Sequence, residues 1–130
     1  MKQTTFMEIY SIREIDIKKT QTRFNTVDEI IAYLKTKIDE HKVATYIATF
    51  DHYAHTASLD EGTISPEILD AKNIIFCFGK ELPKAQVLAV RPRSIGVAER
   101  SEDFVLSFLV APNPTANTTM IEWCKSIANL

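Results

Sequence analysis

Cysteine, glycine and proline are scarce in this chain, at two, three and five residues among 130. Two cysteines cannot make the disulfide framework that staples small secreted domains. Cys77 and Cys124 both stand in apolar surroundings and read as reduced, buried thiols. So little glycine and proline excludes collagen-like and low-complexity disordered sequences. Gly62, Gly79 and Gly96 are isolated. There is accordingly no GxGxxG or Walker loop to cradle phosphates, and no GxSxG nucleophile turn. Long apolar runs are missing too. The longest, Ile74-Ile75-Phe76-Cys77-Phe78, falls far short of the roughly 20 residues that cross a bilayer. Nor is there an excess of one charge: 15 Lys+Arg stand against 17 Asp+Glu, a net charge of −2. That balance provides no footprint for non-specific nucleic-acid binding and no lysine-rich amphipathic segment for a membrane surface. The opening stretch Met1-Lys2-Gln3-Thr4-Thr5-Phe6 has no apolar character. We therefore expect no secretory leader and a cytoplasmic protein, with neither nucleic acid nor membrane as partner.

What is present is the composition of an ordinary globular chain, 45% hydrophobic and 25% charged. At this length one domain, residues 1–130, can bury roughly two thirds of the surface its unfolded chain exposes. No internal repeat or linker divides it.

Residues 10–19 read as a strand, because Ile15 and Ile17 alternate with Glu14, Asp16 and Lys18. The residues before it suit either an extension of that strand or a short helix. Thr26-Val27-Asp28-Glu29 is a capping box, with Thr26 as N-cap and Glu29 reaching back. Behind it Val27, Ile30, Ile31, Leu34 and Ile38 form one apolar stripe at helical spacing. Residues 43–51 are a second strand, with Ala44, Tyr46, Ala48, Phe50 and His52 on one face. A loop over 53–64 follows, then a one- or two-turn helix at Ser65-Pro66-Glu67, where proline suits the first helical position. Residues 73–78 form a buried strand closed by Gly79. A turn holds Pro83, residues 87–90 are extended, and Pro92 marks a strand start or bulge. Residues 94–99 and 104–111 are the last strands, joined by the polar turn Arg100-Ser101-Glu102-Asp103. Over 118–128 a final helix turns Met120, Ile121, Cys124 and Ile127 inward.

The order β-α-β-β-β-β-α excludes a doubly wound parallel fold, in which strand and helix alternate throughout. We expect an α+β domain: one antiparallel sheet with two helices on one face. The other face is left to solvent, a ligand or a second subunit.

Several of these segments resemble the domain-of-unknown-function 302 family. The capping box leading into its helix, and the strand ending Phe50-Asp51-His52, match that family's opening and its Asp-His pair. The apolar strand ending in Gly79, the strand Ile95-Gly96-Val97-Ala98-Glu99 ending in glutamate, and the strand closing on Pro112 match its continuation. The likeness covers residues 20–114. It breaks after Gly79, where the family's Asn-Pro becomes Lys80-Glu81, which suggests a distinct relative. The resemblance implies a β-α-β4-α fold of the TATA-binding-protein-like (TBP-like) type and frequent dimers. It singles out His52 but carries no established activity, and the fold name implies nothing about DNA.

Two polar sets could carry chemistry. In Asp51-His52-Tyr53-Ala54-His55-Thr56, two histidines three apart could share a metal. The zinc-protease pattern needs Glu where Tyr53 stands, and a third ligand. We therefore expect no metal and no cofactor. In Arg91-Pro92-Arg93, residues two apart on an extended segment share a face, and two guanidiniums there suit an anion. An internal carboxylate from Glu99, Glu102 or Asp103 could instead satisfy them. Cys77, Cys124 and Trp123 read as packing residues.

The expected function is binding of a small anionic ligand or effector by a homodimer. The pocket would lie between sheet and loop, with His52, Tyr53 and His55 near one wall and Arg91 and Arg93 near another, and Glu99 as a further ligand-binding residue. The alternatives are a protein–protein interaction module, and an enzyme with His52 as general base and an arginine holding an anionic substrate.

Overall fold

Alternating side chains divide each strand of this protein into a face that must be buried and one that need not be. A computed structural model describes residues 1–128 and shows how the chain satisfies that division. Six strands form one sheet: β1 (Lys2–Phe6), β2 (Tyr10–Lys18), β3 (Thr45–Phe50), β4 (Asp70–Cys77), β5 (Arg93–Glu99) and β6 (Asp103–Leu109). Their spatial order is β1-β2-β6-β5-β4-β3, and every neighbouring pair is antiparallel. The helices are α1 (Val27–Glu40), α2 (His52–Ala57) and α3 (Pro114–Lys125). Helix α1 packs on β3, β4 and β5, while α3 packs on β2 and α1. The α+β arrangement, with both long helices on one side of an antiparallel sheet, is thus the one expected.

Helix α1 starts where its capping box stands. The Thr26 hydroxyl accepts from Glu29 N at 3.1 Å, and the Glu29 carboxylate accepts from Asn25 N at 2.9 Å. All five stripe residues, Val27, Ile30, Ile31, Leu34 and Ile38, are buried. They meet Ile17, Ile74, Phe76, Ile95, Val97, Phe104 and Leu106 from the sheet. Each such side chain contributes roughly 1.5–3 kcal/mol by leaving water. From α3, Met120 and Cys124 complete the core, with Ile127 just beyond the helix. Burial pushes the Cys124 thiol up to about 12, so it stays protonated.

Several local expectations are corrected. The ambiguous opening is a strand, β1, joined to β2 through Met7 and Glu8 at φ 54° and 59°. The expected loop at 53–64 begins with α2, because the Asp51 carboxylate accepts from Ala54 N at 2.9 Å and caps it. Later in that segment a Cβ at Gly62 would meet the Thr56 carbonyl, so only glycine lets the chain pass. Ser65-Pro66-Glu67 makes a turn, closed by Ile68 N donating to Ser65 O at 3.0 Å, and not a helix. The stretch 87–90, expected to be extended, belongs to a 3-10 turn over Ala85–Val90. Helix α3 starts four residues early, with Asn113 as cap and Pro114 in its first turn. In β3, a register shift between Tyr46 and Ala48 sends Tyr46 toward the helices. Ala48 and Phe50 fall on the open face, splitting the single face expected for them.

Candidate functional site

The most distinctive polar feature is Arg93, the first residue of β5. It follows Pro92, whose bond to Arg91 is cis, and its register partner in β4 is Phe76. Strand alternation puts its side chain on the helix-covered face with Ile95 and Val97. There it is only 7% exposed, the one buried charged residue among those described. Its terminal nitrogens donate to backbone carbonyls, Val90 O at 3.1 Å and Leu109 O. Its Nε is buried with no partner. Among the described residues no carboxylate lies within 4.0 Å of Arg93, or of Arg91. Burial lowers the guanidinium from its ordinary value, but arginine remains charged at any physiological pH. Carbonyls satisfy hydrogen bonds without neutralising charge. Arg93 is therefore a buried cation with donor capacity to spare.

A cavity of about 160 Å³ opens beside it. Phe78, Val87, Val90, Ala111, Pro112 and Ala116 give it apolar walls; Arg91, Arg93 and Asn113 are its polar members. Three local structures hold the walls. Arg91 Nη1 donates to Glu81 O at 2.6 Å and ties down the segment after β4. The Asn117 side chain bonds Ala111 N and Ala111 O, each at 2.7 Å, and clamps the exit of β6 to α3. Asn113 Oδ1 accepts from Thr115 N at 2.8 Å and fixes the start of α3. Asn113 and Ala116 bring the start of that helix to the same space, where a helix carries its positive dipole end. Behind Phe78, Trp123 stacks on its ring at 5.7 Å between centroids and 20° between planes.

On the uncovered face lies a shallower depression of about 350 Å³ that shares Val90 and Arg93 with the first. Its floor includes Asn73, Ser94, Gly96 and Ser107, in which Asn73 Nδ2 donates to Ser94 Oγ at 3.0 Å. A Cβ on Gly96 would reach 3.4 Å from Asn73 Nδ2, so the glycine keeps this floor low.

The histidines are elsewhere. His52 opens α2, is exposed, and its Nδ1 lies 3.0 Å from Thr56 Oγ1. With Tyr53 it lines a separate cavity of about 150 Å³ that reaches Ala71 of β4. His55 is exposed, its ring 5.6 Å from that of Phe50. Ala71 and Phe76, the partner of Arg93, are five residues apart on β4, or roughly 16 Å at strand rise. Hydrogen-bond reach is about 3 Å, so His52 and the arginines cannot act on one small substrate. Glu99 lies at the far end of β5 and accepts from Lys19 Nζ at 2.6 Å. Asp103 pairs with Arg100 at 2.6 Å, which holds its carboxyl below the ordinary carboxylate value. The internal carboxylates weighed as partners for Arg91 and Arg93 are thus engaged elsewhere or not in reach. Among the described residues no three His, Cys, Asp or Glu side chains gather where a metal could sit.

Sequence reading missed the remaining walls, Phe78, Val87, Val90, Ala111, Pro112, Asn113 and Ala116. One signal was available: Asn113-Pro114 is an N-cap followed by a first-turn proline, and would have placed a helix start beside the arginines.

The fold and site define an α+β domain: an open-faced antiparallel sheet with a buried arginine at one end. The chain belongs to a family of unknown function, DUF6858, which matches residues 1–129. The distinct relative suggested by the departure after Gly79 is therefore a family in its own right. Among solved structures, the chain is similar to the uncharacterized conserved protein DUF302 from Bacillus stearothermophilus. Identity is 17%, the match covers 90% of this chain and 86% of that one, and the TM-score is 0.48. No curated protein matches the chain. Among the described residues no helix is long and apolar enough to cross a membrane.

Proposed function

We propose that this protein is a binding domain for a small anionic ligand or effector, held at the cavity that Arg91 and Arg93 share. The single observation that carries this is the uncompensated charge of Arg93. Removing a cation from water costs several kcal/mol after relaxation, and an opposite charge is the usual compensation. Arg93 keeps an unused Nε donor, Arg91 stands beside it at the same cavity, and the start of α3 adds a favourable dipole. An anion here supplies the missing countercharge.

Trp123, the single tryptophan, stacks on Phe78 of the cavity wall and serves as a built-in probe. Titrating the protein with small organic and inorganic anions should produce a saturable change in its fluorescence. Arg91→Gln should weaken that response about tenfold, since a charged hydrogen bond is worth about 1.5 kcal/mol or more. No response to any anion, or an unchanged midpoint in the variant, would refute the proposal.

The reading also includes a homodimer formed through the uncovered sheet face. That face exposes Phe6, Tyr10, Leu109 and Phe50, and carries both signs of charge, Lys2 and Lys18 beside Glu14 and Asp16. Two such sheets can pack face to face about 10 Å apart, and a twofold interface sets each patch against itself. Two free cysteines, Cys77 and Cys124, suit the reducing cytoplasm that this reading assigns it.

A further inference from the structure

The cavity's size and lining say more about the anion, on the condition that the reading above is right and an anion binds there. About 160 Å³ is close to the volume of an apolar cavity that holds one benzene ring. Most of the wall is hydrocarbon, from residues such as Phe78, Val87, Ala111 and Ala116. Inorganic phosphate has oxygens on every side and would leave several of them facing that wall unpaired, which is costly. A carboxylate concentrates its charge and both acceptors at one end. Arg93 suits that geometry. Two of its five N–H groups are taken by Val90 O and Leu109 O, leaving Nε–H and one hydrogen on each terminal nitrogen. Nε is sealed from a water-sized group, so a carboxylate accepts end-on, one oxygen from the hydrogen left on each terminal nitrogen. One buried cation also balances one negative charge, whereas Arg91, at the more exposed side, lies half in solvent.

We infer that the ligand is a compact monocarboxylate whose apolar body is the size of a single ring or a short branched chain. The carboxylate sits on Arg93, and the body lies against Phe78 and Val87 under the start of α3. Every wall residue named comes from a different stretch of chain: the end of β4, the 3-10 turn, the exit of β6 and α3. The cavity exists only in the folded protein, so a ligand that fits it must raise the melting temperature.

The test is a set of thermal melts on the full chain with benzoate, its neutral isostere benzamide, and inorganic phosphate at matched ionic strength. Benzoate should raise the melting temperature saturably, while benzamide and phosphate leave it unchanged. Val87→Phe, a substitution at a partly exposed position that fills the cavity, should abolish the benzoate shift. Should that variant not fold, Val87→Ile narrows the same space and should weaken benzoate severalfold. A shift with phosphate and none with benzoate would overturn the monocarboxylate and leave the anion site standing. Equal shifts with benzoate and benzamide, or no shift with either anion, would overturn both. A benzoate shift that survives filling the cavity would place binding elsewhere and overturn this inference.

Discussion

At the scale of single residues, the question is whether Arg93 is there for stability or for a ligand. Its terminal nitrogens bond the carbonyls of Val90 and Leu109, both exposed residues at the margin of the fold. Those carbonyls can turn to water if the guanidinium is removed. The charge itself is buried without a countercharge, and replacing buried charges by apolar side chains of similar volume is often neutral or stabilising. Arg93→Met is therefore expected to leave the unfolding free energy within about 1 kcal/mol of the parent, or to raise it, while abolishing anion binding. Urea denaturation measures the first and Trp123 fluorescence the second. A loss of about 3 kcal/mol or more would make Arg93 a structural residue. Sequence alone paired Arg91 with Arg93 and gave both an anion-binding role, because residues two apart on an extended segment share a face. It could not show that a 3-10 turn and Pro92 would seal one of them inside, nor that Glu99 would be drawn to Lys19 some 20 Å along the strand.

Among the elements, what could be read was what local chemistry encodes strongly. The Thr26–Glu29 box and the stripe from Val27 to Ile38 define α1 without help from the rest of the chain. Strands β4, β5 and β6 declare themselves through apolar runs and alternation. The misses have physical causes. The β1–β2 hairpin turns through Met7 and Glu8 in the left-handed region, where Asn and Gly are the usual signals, so nothing marked the turn. The shift in β3 flips two side chains to the other face, and a period-two reading cannot foresee an extra residue. Val87 to Val90 has the β-branched, apolar look of a strand, yet with neighbours on neither side it closes on itself as a 3-10 turn. Each of these lies at an edge or an end of the sheet, where tertiary context outweighs propensity. The ligand cavity lies there too, which is why its walls were less legible than the core.

For the whole molecule, the helices cover one sheet face and leave the other open. The row Lys2, Glu14, Ser107, Gly96, Asn73 and Phe50 runs across all six strands of that face in register. Sedimentation equilibrium should give twice the mass of one 14.7 kDa chain. Leu109→Glu, which puts a carboxylate beside Ile12 on that face, should return the protein to a monomer without lowering its melting temperature by more than a few degrees. A monomer at high concentration would leave the open face to solvent and refute the dimer. The two proposals share a border, since Leu109 is exposed on the open face and its carbonyl accepts from Arg93. Anion binding and dimer formation are expected to influence each other reciprocally.

The charge on Arg93 is what everything functional here depends on, and it can be observed directly. In a nitrogen–proton spectrum of arginine side chains, the Nε–H signal of Arg93, assigned by its loss in Arg93→Met, should move saturably as benzoate is added. The remaining arginine signals, Arg91 excepted, should hold still. An Arg93 signal that stays fixed while benzoate saturates the protein, or that never responds to any anion, would contradict an anion site at this residue.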